Sequence, residues 1–122
     1  MRINLDCVRV VMLTIENNLG IEKYMQLPDL MEYSLVQSFS KKDVEYSLHQ
    51  LTKEKLIECE IERYMDGSFS YVIEAVTPSG HKLCDEFRND TLWSKIKPHL
   101  EDVSSVAGLI SSLASVVSAF VS

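Results

Sequence analysis

Apolar residues recur at helical spacing near the start of the chain. Leu5, Val8, Met12, Ile15 and Leu19 mark one face, which is the i, i+3/i+4 pattern of an amphipathic helix. Asn4 or Asp6 stands where a cap is needed and Gly20 lies just past the end, so the pattern predicts a helix over about 5–18. The stretch 21–38 is mixed. Pro28 favours extended backbone in the residue before it, which predicts a short strand or loop and then a short helix. Periodicity resumes after Ser40, where Asp43 three residues on makes a capping-box-like start. Val44, Leu48 and Leu51 form one stripe, and Leu56 and Ile57 close the unit, which predicts a second helix over about 41–54.

The pattern then changes to alternation. "ECEIERYMDGSFSYVIEAV" predicts a β-hairpin around Asp66-Gly67. A two-residue Asp-Gly loop pairs Ile61 with Val72 but sets Glu60 against Ile73 and Glu62 against Tyr71. A one-residue shift pairs Cys59 with Ala75, Ile61 with Ile73 and Met65 with Phe69, and keeps Glu60 and Glu62 on the wet face. A slip of one residue exchanges the faces of a strand, so the shifted register with an odd-length loop or bulge is the expected one. After the hairpin, Thr77 is a good N-cap and Pro78 suits the first helical position of a helix that turns Leu83, Cys84 and Phe87 inward. Another short helix starts at Asp90 or Thr91, with Trp93, Ile96 and Leu100 as its stripe and Pro98 as its end or kink.

At 122 residues with 46% hydrophobic and 25% charged content, the chain has the size and composition of one folded domain. The net charge of −6 repels nucleic acid on average. Cys7, Cys59 and Cys84 are odd in number and form no CxxC pair, which predicts reduced thiols and a cytoplasmic setting. Asp6 and Arg9 interrupt the N-terminal apolar stretch, so it does not read as a signal peptide.

Helix, short connection, helix, two-stranded hairpin, helix is the order of a winged helix-turn-helix, an α+β fold here followed by extra C-terminal helices. "DVEYSLHQLTKEKLIE" resembles the recognition-helix-plus-strand signature of winged-helix proteins, with Val44, Leu48, Leu51, Leu56 and Ile57 at its core positions. "VTPSGHKLCDEFRNDTLWSKIK" resembles a family of small uncharacterised bacterial and prophage proteins, a domain of unknown function. Thr77, Gly80, His81, the Arg88–Trp93 run and Lys95 carry that likeness, which covers most of residues 1–100. Members usually have a glycine where Lys55 stands, so the turn from helix to strand departs from the pattern. The resemblance implies a winged-helix fold of prophage or mobile-element type and brings no established catalytic residues.

Candidate chemistry is sparse. His81 and Cys84 share a helix face, but two ligands do not make a zinc site and no second pair stands at ligand spacing. His49 with Glu45 four residues before it reads as a solvated helix pair. No nucleophile-elbow, phosphate-loop or zinc-protease motif occurs. The expectation is a protein with no catalytic site, metal or cofactor.

A winged helix raises the question of DNA. Lys41, Lys42, Tyr46, His49, Gln50 and Lys53 on the second helix, with Arg63 on the hairpin, are the residues that would reach it. Over 41–55 four lysines stand against three acids, a net of +1; over 58–76 Arg63 stands against five acids, a net of −4. A wing that touches phosphate is normally basic. The acidic hairpin weighs against DNA as the leading partner.

The last twenty residues contain no Asp, Glu, Lys or Arg. On a helical wheel their serines gather on one side and Val103, Val106, Ile110, Leu113, Val117 and Phe120 on the other, spaced 3, 4, 3, 4, 3. Leu109 and Val116 widen the apolar half on one flank, and Ala107 and Ala114 on the other. Residues 1–102 are thus expected to form the winged-helix domain and 103–122 an amphipathic association helix. That helix can pack on its own domain or a partner subunit, enter a membrane, or dock in another protein's groove. The leading expectation is a non-catalytic interaction module that self-associates or binds a protein partner through this helix. A DNA-binding transcriptional regulator dimerised by it comes second, and a membrane-acting effector third.

Overall fold

The computed structural model describes residues 2–21 and 23–121, the side chains of 120 and 121 excepted. Helix α1 (Leu5–Asn18) is followed by a two-residue strand β1 (Met25–Gln26), a single helical turn α2 (Leu27–Leu30) and a 3₁₀ turn (Val36–Ser38). Helix α3 (Lys41–Lys53), strands β2 (Ile57–Arg63) and β3 (Phe69–Val76), and helices α4 (Pro78–Arg88) and α5 (Asp90–Ile96) come next. A 3₁₀ turn (Lys97–Leu100) leads to α6 (Val106–Val121). The strands form one antiparallel sheet in the order β1-β3-β2. The fold is α+β, with the element order of a winged helix-turn-helix and additional helices after the wing.

Local chemistry sets the boundaries. Side-chain oxygens of Asn4, Ser40, Thr77 and Asn89 accept the backbone N–H groups of Cys7, Asp43, Gly80 and Leu92 at 3.0–3.1 Å. Each answers one of the donors that a helix start leaves open. The residue before Pro28 is not extended as expected: Leu27 is the first residue of α2, Pro28 lies inside the first turn, where no N–H is needed, and the extended residue is the N-cap Gln26. Gln26 N–H donates to the Asp29 carboxylate across that turn.

The wing has the expected odd-length loop, in a register two residues away from the expected one. Ile61 pairs with Tyr71 and Arg63 with Phe69, while a bulge between Glu58 and Cys59 returns Ile57 to Val76. Tyr64 N–H donates to Ser68 O and Gly67 N–H to Tyr64 O, closing a three-residue loop over Met65-Asp66-Gly67. Gly67 takes φ +87, the left-handed conformation that such a loop needs and glycine adopts without strain. Odd residues still share the inner face and Glu58, Glu60 and Glu62 stay outside, because a shift of two preserves the alternation.

The core joins α1, α3, α4 and the inner sheet face, with Val8, Met12, Ile15, Leu48, Leu51, Ile73 and Phe87 fully buried. Lys55 closes the turn from α3 to β2 with φ +58. A side chain in that region costs about 1–2 kcal/mol, a cost that a glycine at this turn would avoid. Thr77 fastens the turn, its hydroxyl donating to Lys55 O and its N–H to Leu56 O. Gly80 sits directly over this point: a Cβ there would lie 2.0 Å from Leu56 O and 2.9 Å from the Met12 terminal methyl.

Candidate functional site

Two surfaces could meet a partner: the outer face of α3 beside the wing, and α6. On α3, Lys41, Lys42 and Lys53 are exposed, and so is Arg63 on the wing. The neighbouring polar residues are committed within the fold. His49 Nε2 lies 2.9 Å from Tyr71 Oη, and its ring meets Phe69 and Tyr71 edge-on at 4.9 and 5.4 Å. It is therefore a half-buried member of an aromatic cluster between α3 and β3, not the solvated partner of Glu45 that the sequence suggested. Burial pushes the Tyr71 phenol upward, and the nearby Glu45 carboxylate adds to the shift. Tyr46 is half-buried and packs against the core. Gln50 Oε1 accepts the N–H of Val106 at 3.3 Å, at the start of α6. Of the seven residues, only the four cations Lys41, Lys42, Lys53 and Arg63 are plainly presented to solvent.

Helix α6 starts at Val106, three residues later than the apolar run. Ser105 caps it by accepting Gly108 N–H at 3.1 Å, and Val103 N–H is taken by Leu100 O. The helix packs against α3, α5 and the 3₁₀ turn. Val106, Leu109 and Leu113 are buried, and Val103, Val116 and Val117 are partly buried. Ile110, in the middle of the expected seam, is 37% exposed. The side chain of Phe120 lies outside the described residues. The domain thus takes the flank widened by Leu109 and Val116 and leaves the flank of Ala107, Ile110 and Ala114 outward. Beside that flank, Leu56, Leu83, Ile110, Leu113 and Ala114 line a groove of about 320 Å³, rimmed by Glu54, Lys82 and Glu86. Burial raises the Glu86 carboxyl above its ordinary value, against a smaller opposing effect of Lys82.

At 16 residues, α6 is about 24 Å long, short of the roughly 30 Å of a bilayer's hydrocarbon core. Among the described residues no helix is long and apolar enough to cross a membrane.

The "RNDTLW" region joins α4 and α5 to α1. Glu16, with its side chain 11% exposed, accepts from Arg88 and lies 2.8 Å from His81 Nδ1. Arg88 also holds Asp85 at 2.7 Å. Arg9 of α1 pairs with Asp90, donates to Phe87 O and sits 5.6 Å from the Trp93 ring centre. Trp93 in turn stacks edge-on to Phe87 at 5.3 Å. Thr77, Gly80, His81, Arg88, Asn89, Asp90 and Trp93 each have an architectural task. The motif specifies how the post-wing helices dock.

The family model described as hypothetical protein DUF2513 matches residues 2–107. The chain belongs to this family. The match runs from before α1 through the start of α6 and so includes the docking motif, the Lys55 turn and Val106. No curated protein matches the chain.

Cys7 and Cys84 are buried, and Cys59 on β2 is partly buried near Thr52 of α3. Burial pushes the Cys59 thiol up to about 11 and Cys84 to about 12, and it raises Cys7 as well. Thiols so shifted stay protonated near neutral pH, where a thiolate would be the nucleophile or ligand. Cys84 lies 3.8 Å from Met12 O and is three residues from the exposed His81, whose Nδ1 meets Glu16.

Proposed function

We propose that this DUF2513 protein is a non-catalytic, winged-helix interaction module of prophage or mobile-element type that binds protein through α6. The observation that carries this reading is the division of α6 into two apolar flanks. One is sunk in the domain through Val106, Leu109 and Leu113; the other, with Ile110 and Ala114, opens onto a groove lined by Leu56 and Leu83 and rimmed by Glu54, Lys82 and Glu86. A helix that served packing alone would gain from charged residues on its wet side, yet none occurs after Asp102. Apolar grooves beside a fixed helix are common seats for a second helix.

A photo-crosslinking amino acid at Ala114 tests this in cells. Protein adducts are the expected outcome. Adducts to lipid alone, or none, would remove the reading.

A second reading rests on one further observation. Lys42, Tyr46, His49 and Lys53 follow one another at helical spacing on α3, the two lysines exposed and Tyr46 and His49 half-buried between them. A DNA-binding regulator would present such a strip to a groove. The wing beside it carries Glu58, Glu60 and Glu62 on exposed positions, and we rank this reading second.

A further inference from the structure

The outward flank of α6 has an order of sizes that fits itself. Ala107, Ile110 and Ala114 are exposed, and Val117, partly buried against the domain, continues their line; the four are spaced 3, 4, 3, as in a helical seam, and alternate small, large, small, large. The midpoint of the four is residue 112. If two such helices run antiparallel about a two-fold axis at that level, Ile110 falls opposite the partner's Ala114, and Ala107 falls opposite the partner's Val117. Every large side chain then meets a small one on both sides of the axis. Interdigitation of this kind lets helices approach closely without forcing side chains off their preferred rotamers.

Two other observations point to the same occupant. The surface area of 7319 Å² is roughly 600 Å² more than the about 6,700 Å² usual for a compact monomer of 13.9 kDa. The helix itself carries no charge, the charges beside its flank being Glu54, Lys82 and Glu86 of the groove rim: a foreign helix would find no ion pair on α6 to select it, whereas a second copy needs none. In a chain of net charge −6, an uncharged helix is the face on which two copies can meet with least repulsion.

We propose that the occupant of this face is a second copy of the chain, seated as an antiparallel α6–α6 pair with Ile110 and Ala114 at its centre. The proposal rests on the reading of α6 as a protein-binding element and names its partner. It is an isologous contact, which closes at two copies.

Light scattering coupled to size exclusion, on the full chain, reads the result as mass. The expected mass is twice 13.9 kDa. Ala114→Ile sets large against large and is expected to return the mass to that of one chain, as is Ile110→Glu. The double variant Ile110→Ala with Ala114→Ile restores the large-to-small order and is expected to recover the doubled mass. Both positions are exposed, and far-UV circular dichroism verifies that each variant keeps its helices. A native chain that stays monomeric overturns the proposal. So does a dimer indifferent to Ala114→Ile and Ile110→Glu, or a double variant that stays single. A monomeric native chain that still yields adducts from Ala114 to another protein leaves the interaction module standing and removes only the second copy.

Discussion

The side-chain oxygen of Gln50 takes the backbone N–H of Val106 at 3.3 Å. This bond ties the helix that a nucleic-acid binder would present to the start of the C-terminal helix. Gln50→Ala removes the acceptor and leaves an open donor at the start of α6. The expected loss is about 1 kcal/mol, a drop of about 4 °C in melting temperature. Differential scanning calorimetry reads it, and an unchanged melting temperature would show that Gln50 contributes nothing to the seating of α6.

Two substitutions around the turn from α3 to β2 should act in opposite directions. Lys55 holds φ +58, so Lys55→Gly relieves the left-handed cost while adding chain entropy to the unfolded state. The balance is a gain of about 0.5–1 kcal/mol. Gly80→Ala places a methyl group 2.0 Å from Leu56 O, which forces α4 off the turn at a cost of about 3 kcal/mol or more. Denaturant melts of the two variants should bracket the native midpoint.

The Glu16 carboxylate carries both Arg88 and His81. Glu16→Ala should cost about 1–2 kcal/mol and loosen α4 from α1. Because the partners are half-exposed, part of the effect should disappear in high salt. A thermal melt series with and without added salt measures both.

Glu86 sets a slope on the acid side. Burial raises its folded-state carboxyl above the ordinary 4.5, so the folded chain holds this proton more tightly than the unfolded chain. The sign follows: this contribution to stability is full below 4.5 and is lost as pH rises through the folded-state value. Glu86→Gln should therefore stabilise the protein at neutral pH and make no difference well below 4.5. Denaturant melts at the two pH values decide it.

Cutting the chain after Asp102 removes Val106, Leu109 and Leu113, which are 0–2% exposed. Three such side chains contribute about 5 kcal/mol or more, a large fraction of the stability of a small domain. The shortened chain is expected to lose its cooperative melt. A truncation that melts like the full chain would show that α6 lies on the domain without holding it.

What was legible in the sequence follows the range of the interactions involved. Caps such as Asn4, Ser40, Thr77 and Asn89 act over three residues, and the bounds of α1, α3, α4 and α5 fell close to where they were expected. The hairpin shows the limit. Alternation fixes which residues share a face, but a shift of two leaves it intact, and the Tyr64–Ser68 bond that closes the loop has no signature of its own. Contacts between distant elements were not legible. His49 has Glu45 at helical spacing, yet it pairs with Tyr71, 22 residues on. Gln50 looked like one more polar residue on a helix face because its partner lies 56 residues away. The two flanks of α6 were both visible on the wheel, but only the packed structure shows that the Leu109 flank turns inward and the Ala114 flank outward.

The most direct measurement places the same photo-crosslinking residue at Ala114 in one variant and at Lys42 in another, in cells. The account predicts protein adducts from Ala114 and no nucleic-acid adduct from Lys42. Nucleic acid captured at Lys42, with nothing held at Ala114, would contradict it and make the outer face of α3 the working surface.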